Sequence, residues 1–165
     1  MTKRINFLAK NKKKKSAFVD LDNAREDEQK KVMKQIIAAG HCPFCLENLK
    51  KYHQQPILKD GKFWILTVNQ WPYRHTKLHL LAIYKTHVEN LAGLDPEAGK
   101  ELFEILQWAE KKYQVPGGGF VIRFGDTNYS AGTVAHIHAQ FLLPDINDPT
   151  YNEKPVRIKI GKTNW

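Results

Sequence analysis

Hydrophobic and polar positions repeat along this chain with two different periods. Val32, Met33, Ile36 and Ile37 recur at three- and four-residue spacing, the apolar stripe of an amphipathic helix. Asp22 or Asn23 supplies a cap for that helix, which runs to about Ala39, and Gly40 supplies a stop. After a short irregular piece, Pro56-Ile57-Leu58 and Phe63 to Val68 flank the turn Lys59-Asp60-Gly61-Lys62, a hairpin pattern. Asn69 to Lys77 reads as a loop broken by Pro72, and Leu78 to Tyr84 as a strand. Asp95-Pro96-Glu97 combines a cap, a first-turn proline and an acid at the positive end of a helix. Its predicted buried stripe is Leu102, Phe103, Leu106 and Tyr113. Two more strands follow, Phe120 to Phe124 and Ala135 to Leu143.

This order predicts an α+β domain, a mainly antiparallel sheet with helices on one face. The run Gly117-Gly118-Gly119 follows a helix and precedes a strand, the wrong order for a phosphate-cradling loop. With 165 residues the chain is long enough for one cored domain, expected over residues 20–165. Residues 1–19 read as a basic, flexible arm.

Composition changes the picture only through that arm. The net charge is +9, from 26 basic and 17 acidic side chains. Lys3, Arg4, Lys10 and Lys12 to Lys15 account for seven of the positive groups, and the remainder is nearly balanced. A terminal lysine run is usually solvated; its sharper reading is a sequence-independent grip on nucleic acid. No aromatic residue is interleaved with Lys12 to Lys15 to stack bases, so nucleic acid is not the favoured partner. No secretory pattern is visible, and the longest apolar runs are too short to cross a bilayer. The expectation is a cytoplasmic protein with no membrane partner. Cys42 and Cys45, the only cysteines, then sit in a reducing compartment, where Cys-x-x-Cys points to metal binding or redox chemistry. The redox alternative lacks the parallel βαβ setting that usually accompanies it.

The candidate chemistry lies between residues 128 and 140. Strand alternation puts His136, His138 and Gln140 on one face and Ile137, Ala139, Phe141 and Leu143 on the other. Ahead of them runs a loop of small and hydroxyl residues, Ser130-Ala131-Gly132-Thr133-Val134, suited to close approach of an anion. A neutral imidazole attacks phosphorus well when one ring nitrogen is held by an acceptor and the other is free. His138, with partners on both sides, is the candidate nucleophile. Gln140 offers a hydrogen bond to a phosphate oxygen, but it does not titrate as a histidine would.

The segment His136-Ile137-His138-Ala139-Gln140 resembles the motif of the histidine-triad (HIT) superfamily, in the variant with glutamine at the third place. That variant typifies the galactose-1-phosphate uridylyltransferase and diadenosine-tetraphosphate phosphorylase branches. The loop before it is similar to the family's small-residue loop. Asn69-Gln70-Trp71-Pro72-Tyr73, Leu78 to Ile83, His87 to Leu91 and Leu94-Asp95-Pro96-Glu97 resemble its central block in the same order. Tyr84, Lys85 and Thr86 stand where the family usually has proline, lysine and arginine.

The resemblance implies an antiparallel sheet with helices and a homodimer. It also implies a nucleotide substrate attacked at its α-phosphate, with a covalent nucleotidyl intermediate on His138. It places Asn69, Asn128, Ser130 and Thr133 at the nucleotide, and counts Gln140 and His136 with His138 in the catalytic set. By the pattern of its zinc-containing members, Cys42, Cys45, His87 and His136 would hold a structural Zn2+, and no catalytic metal is called for. Two rival readings remain at this level: a nucleotide-binding regulator without catalysis, and a nucleic-acid-associated module using the basic arm. His79 is read as an ordinary hydrogen-bonded strand residue, and Trp64, Trp71 and Trp108 as packing residues, with Trp71 close enough to Asn69 to meet a base.

Overall fold

A computed structural model describes residues 18–151 and 155–162. The basic residues from Lys3 to Lys15 lie outside the described residues. The elements in chain order are α1 (Asp27–Ala39), α2 (Leu46–Tyr52), β1 (Ile57–Asp60), β2 (Trp64–Val68), β3 (Thr76–Tyr84), α3 (Pro96–Lys112), β4 (Gly119–Arg123), α4 (Thr127–Ser130) and β5 (His138–Pro144). The five strands form one sheet in the order β1-β2-β3-β5-β4, with every neighbouring pair antiparallel. The last strand of the chain is thus inserted between β3 and β4, which brings the triad segment to the middle of the sheet.

Alternation along the central strands builds two apolar layers. Trp64, Leu66, Leu80, Ala82, Ile137 and Ala139 point to one face and meet Ala98, Leu102 and Ile105 of α3. There the Trp64 indole donates to the Ala98 carbonyl at 2.7 Å, so its one polar atom is satisfied while the ring is fully buried. Ile65, Leu81 and Ile83 point to the other face and meet Leu49 of α2 and Phe44. Helical segments therefore cover both faces of the sheet, where the sequence pattern predicted one. The physical reason is that Ile65-Leu66 and Leu80 to Ile83 are apolar at consecutive positions, so each face has a hydrophobic layer to hide.

The local signals act as their chemistry requires at most element ends. Asp95 accepts from the Glu97 amide at the start of α3, with Pro96 in the first turn. Gly40 closes α1 at φ +68°, a left-handed conformation that glycine adopts without a Cβ penalty. Two expectations need correction. The first helix starts at Asp27, not Asp22 or Asn23, because Leu21–Asn23 form a separate 3-10 turn capped by Asp20. Phe103, predicted to be buried, is 56% exposed on α3, while Ile105 and Ala109 fill the core in its place.

The chain before α1 is stitched to the segment before the triad. Val19 bridges Val134 and is buried, the Ala135 amide donates to Phe18, and the Asp20 amide donates to Thr133. Gly118 sets the approach of β4 to β5, since a Cβ there would lie 2.2 Å from the Leu142 carbonyl oxygen. That close approach, not phosphate binding, explains a glycine at position 118. Among the described residues no helix is long and apolar enough to cross a membrane.

Candidate active site and metal centre

His138 opens β5 and Gln140 follows on the same face, both buried. Their neighbours across the ladder are Ile83 and Leu81 on β3, and Arg123 and Val121 on β4. The His138 Nδ1 lies 2.7 Å from the His136 carbonyl oxygen. A carbonyl only accepts, so this contact puts the ring proton on Nδ1 and the lone pair on Nε2. Burial holds the imidazole down to about pKa 4, against the pull of the His136 carbonyl. The ring is neutral at pH 7 and has a nucleophilic nitrogen, with the edge of Phe44 packed on it at 5.3 Å between centroids.

Gln140 is oriented by His79. The His79 Nδ1 accepts from the Tyr73 amide at 3.1 Å, which leaves its Nε2 to donate toward Gln140 Oε1, also at 3.1 Å. With the carboxamide oxygen held in this way, the Gln140 NH2 is the end left to act as a donor. His79, read from sequence as a hydrogen-bonded strand residue, is one, and one of its partners is Gln140. Asn69 lies beside it, with Oδ1 accepting from the Trp71 amide.

His138 and Gln140 form part of the wall of an open cleft. One part of its lining is apolar, from Val32, Met33 and Ile36 of α1 with Pro43, Phe44 and Leu81. The other is polar and cationic, with Arg25, Tyr73, Arg123, Thr133 and Asn69. Of the sequence candidates for nucleotide contact, the structure brings Asn69 and Thr133 to this cleft. Asn128 and Ser130 are not among its walls. Both fall in the short helix α4, where Asn128 is tied to the Asp126 carboxylate and the Ser130 hydroxyl accepts from the Gly132 amide.

Beside His138, the ligand atoms of Cys42, Cys45, His87 and His136 lie within 4.8 Å of one another. Cys42 Sγ is 3.3 Å from His136 Nδ1, Cys45 Sγ is 3.5 Å from His87 Nδ1, and the two Nδ1 atoms are 3.2 Å apart. A tetrahedral zinc, with bonds of about 2.3 Å to sulfur and 2.05 Å to nitrogen, requires S···N edges of about 3.5 Å and an N···N edge of about 3.3 Å. The donor set therefore fits zinc in identity and at these three edges. His136 Nε2 contacts the Tyr84 carbonyl at 2.6 Å, which fixes that nitrogen as the protonated one and turns the Nδ1 lone pair into the cluster. Burial pushes the Cys42 thiol up to about 12, so a thiolate here requires a cation beside it.

No protein-family model matches the chain, and none of the curated proteins does. Solved structures do resemble it. A hypothetical protein from Leishmania major superposes over 77% of this chain and 84% of its own, with a TM-score of 0.55 and 19% identity. A hypothetical histidine triad nucleotide-binding protein from Sulfolobus tokodaii superposes over 74% of this chain and 81% of its own, with a TM-score of 0.52 and 16% identity. The fold is the histidine-triad fold.

Within the histidine-triad fold of this chain, two cleft residues were missed by sequence reasoning. Arg123 sits directly across from His138 in the β4–β5 ladder, and Arg25 lies in the link between the 3-10 turn and α1. Arg123 could be noticed as a charge in an apolar strand pattern, but its pairing with His138 depends on strand register. Arg25 carries no local signal at all. The leftover histidines are absorbed by ordinary partners: His41 by the Tyr52 hydroxyl, His53 by Thr67 and His75 by Asp148.

Proposed function

We propose that this protein is a zinc-stabilised homodimeric enzyme that transfers or hydrolyses nucleotidyl groups through a covalent intermediate on His138. The observation that carries the reading is the His138 ring, neutral, anchored at Nδ1 by the His136 carbonyl and placed beside Gln140 in an open cleft. Its Nε2 attacks the α-phosphorus of a nucleoside polyphosphate or related conjugate. A P–N bond forms, the bond from phosphorus to the leaving oxygen breaks, and the electron pair departs on that oxygen. Water or phosphate then attacks phosphorus from the opposite side and restores the free imidazole.

The Gln140 NH2 and the Arg123 guanidinium are the donors available for the oxygens that gain charge. Asn69 and Thr133 are assigned to the ribose and phosphates from their place in the cleft. Asn128 and Ser130 keep a role only through their loop. The apolar patch of α1 with Phe44 and Leu81 takes the base. Glutamine at position 140 aligns the chemistry with the glutamine-variant branch and hence with phosphate as acceptor. That the Sulfolobus tokodaii neighbour is described as nucleotide-binding supports the substrate class.

Cys42, Cys45, His87 and His136 would hold the zinc, and its contribution when bound is structural, since four protein ligands complete a tetrahedral shell. With His136 held in such a site, the carbonyl that orients His138 would be fixed as well.

Homodimerisation is assigned to the β4 edge. There Phe120, Phe124 and Phe103 of α3 are exposed together, and Phe103 meets Phe120 edge to face at 5.8 Å. The variant Phe103→Glu with Phe120→Asp is expected to sediment as a monomer where the parent sediments as a dimer. A parent that is already monomeric at micromolar concentration contradicts this assignment.

The function is tested by incubating the protein with diadenosine tetraphosphate, with and without inorganic phosphate. A phosphorylase yields ADP and ATP only when phosphate is present; a hydrolase yields products regardless. No turnover of this or any nucleoside polyphosphate would remove the enzymatic reading in favour of a nucleotide-binding regulator.

A further inference from the structure

Arg123 is buried, and its hydrogen-bond partners among the described residues are neutral oxygens. Nη1 donates to the Ala131 carbonyl and Nη2 to the Tyr73 hydroxyl, the second at 2.9 Å. No carboxylate lies within ion-pair distance among the described residues. Nε is buried without a hydrogen-bond partner among them, so it does not help to hold the fork. A guanidinium has five N–H groups, and each Nη of Arg123 therefore keeps a second one. Those are the donors that Arg123 can offer to the cleft whose wall it shares with His138 and Gln140. Their direction depends on the two oxygens, because a long side chain left to itself samples many rotamers.

The two oxygens come from different sides of the site. Ala131 closes α4, a few residues after Arg123 itself. Tyr73 belongs to the loop before β3, and that loop holds it on every side. Its amide donates to His79 Nδ1 at 3.1 Å, and its carbonyl accepts from the Thr76 hydroxyl at 2.6 Å. Its ring stacks on the His79 imidazole, with centroids 4.9 Å and planes 27° apart, and the Arg25 guanidinium lies over the ring at 4.1 Å from its centroid. With its backbone pinned at both ends and its ring stacked, the residue presents its hydroxyl at a fixed point.

We propose that Tyr73 is a positioning residue, whose hydroxyl holds the Arg123 guanidinium with its remaining N–H groups toward the phosphoryl oxygens of a nucleotide at His138. The effect on turnover rests on the nucleotidyl-transfer reading. The hold on Arg123 is a property of the free protein and is measured without substrate. Tyr73→Phe deletes the hydroxyl and keeps the ring, the stack and the backbone contacts, so it isolates this one bond. The guanidinium then turns about Nε–Cζ, and its donors no longer wait in one direction for charge to develop.

Two readouts test the proposal. The first is the Nη resonances of Arg123 in the 15N-labelled full chain, assigned by their loss in Arg123→Gln. Rotation about Nε–Cζ exchanges the two Nη atoms. Two separate resonances are expected in the parent and one merged resonance in Tyr73→Phe. The second is a double-mutant cycle on the turnover of diadenosine tetraphosphate. Tyr73→Phe is expected to lower kcat about tenfold with KM changed less than about twofold. In the Arg123→Gln background the same step is expected to cost less than about twofold, whereas in Gln140→Ala it keeps its full size. Arg123→Lys serves if the glutamine variant does not fold, since an ammonium keeps the charge and loses the fork; the Tyr73→Phe step is expected to shrink there too.

Merged Nη resonances in the parent, or separate ones that persist in Tyr73→Phe, overturn the proposal. A Tyr73→Phe loss as large without the Arg123 guanidinium as with it also overturns it, since that is the mark of general loosening. Resonances that merge in Tyr73→Phe, in a parent that turns over no nucleotide, keep the hold on Arg123 and remove the nucleotidyl-transfer reading instead.

Discussion

Replacing Cys42 with alanine is expected to empty the four-residue cluster of metal and to lower the melting temperature by about 10 °C. Cys42 is buried in the satellite core with Val19, Met33, Ile36 and Val134, and it faces His136 across 3.3 Å. The turn it begins joins α1 and α2 to the sheet face that carries His138. Structural zinc supplies about 10–16 kcal/mol of apparent binding energy in peptides that have no other core. This chain has its own core on α3, so only part of that is at stake. A loss of about 3–5 kcal/mol translates at roughly 2–4 °C per kcal/mol for a domain of this size. Calorimetry with elemental analysis measures both quantities. One zinc per parent chain and none in the variant is the expected pair of values, and a parent purified and melting equally well without zinc contradicts the assignment.

His138→Ala is expected to reduce nucleotidyl turnover by about 10⁴-fold or more, because it removes the atom that bonds to phosphorus. Gln140→Ala removes a donor and leaves the nucleophile, so its loss should be smaller, about 10²–10³-fold, and should fall on kcat more than on KM. Steady-state kinetics on the same nucleoside polyphosphate separates the two. Equal modest losses for both variants would mean that His138 binds the nucleotide without attacking it.

Much of this site is legible in the residues themselves because it depends on short-range rules. Ile137 and Ala139 against His138 and Gln140 is a period-two pattern, and the structure separates them as that period requires. The cap at Asp95 and the stop at Gly40 likewise need only their neighbours. The regular strand begins at His138, not Ala135, because residues 134 and 135 are drawn to Val19 and Phe18 instead. What the sequence does not display depends on pairing across the chain. Arg123 matters through its register with His138, and His79 through a strand position that faces Gln140. Asn128 and Ser130 look like phosphate contacts in a small-residue loop. Asp126 caps that stretch into a helical turn and ties Asn128 to itself. Phe103 matches the helical stripe but ends up solvent-facing, since Ile105 and Ala109 are better placed over the sheet.

The central claim is that a nucleotide becomes bonded to His138. The most direct measurement is intact-protein and peptide mass spectrometry after brief quenching in alkaline denaturant, where a P–N bond survives, of the protein mixed with diadenosine tetraphosphate. The account predicts a mass increase of one adenylyl group, located on His138 and absent from His138→Ala. Turnover without any such adduct, or an adduct on another residue, would contradict it.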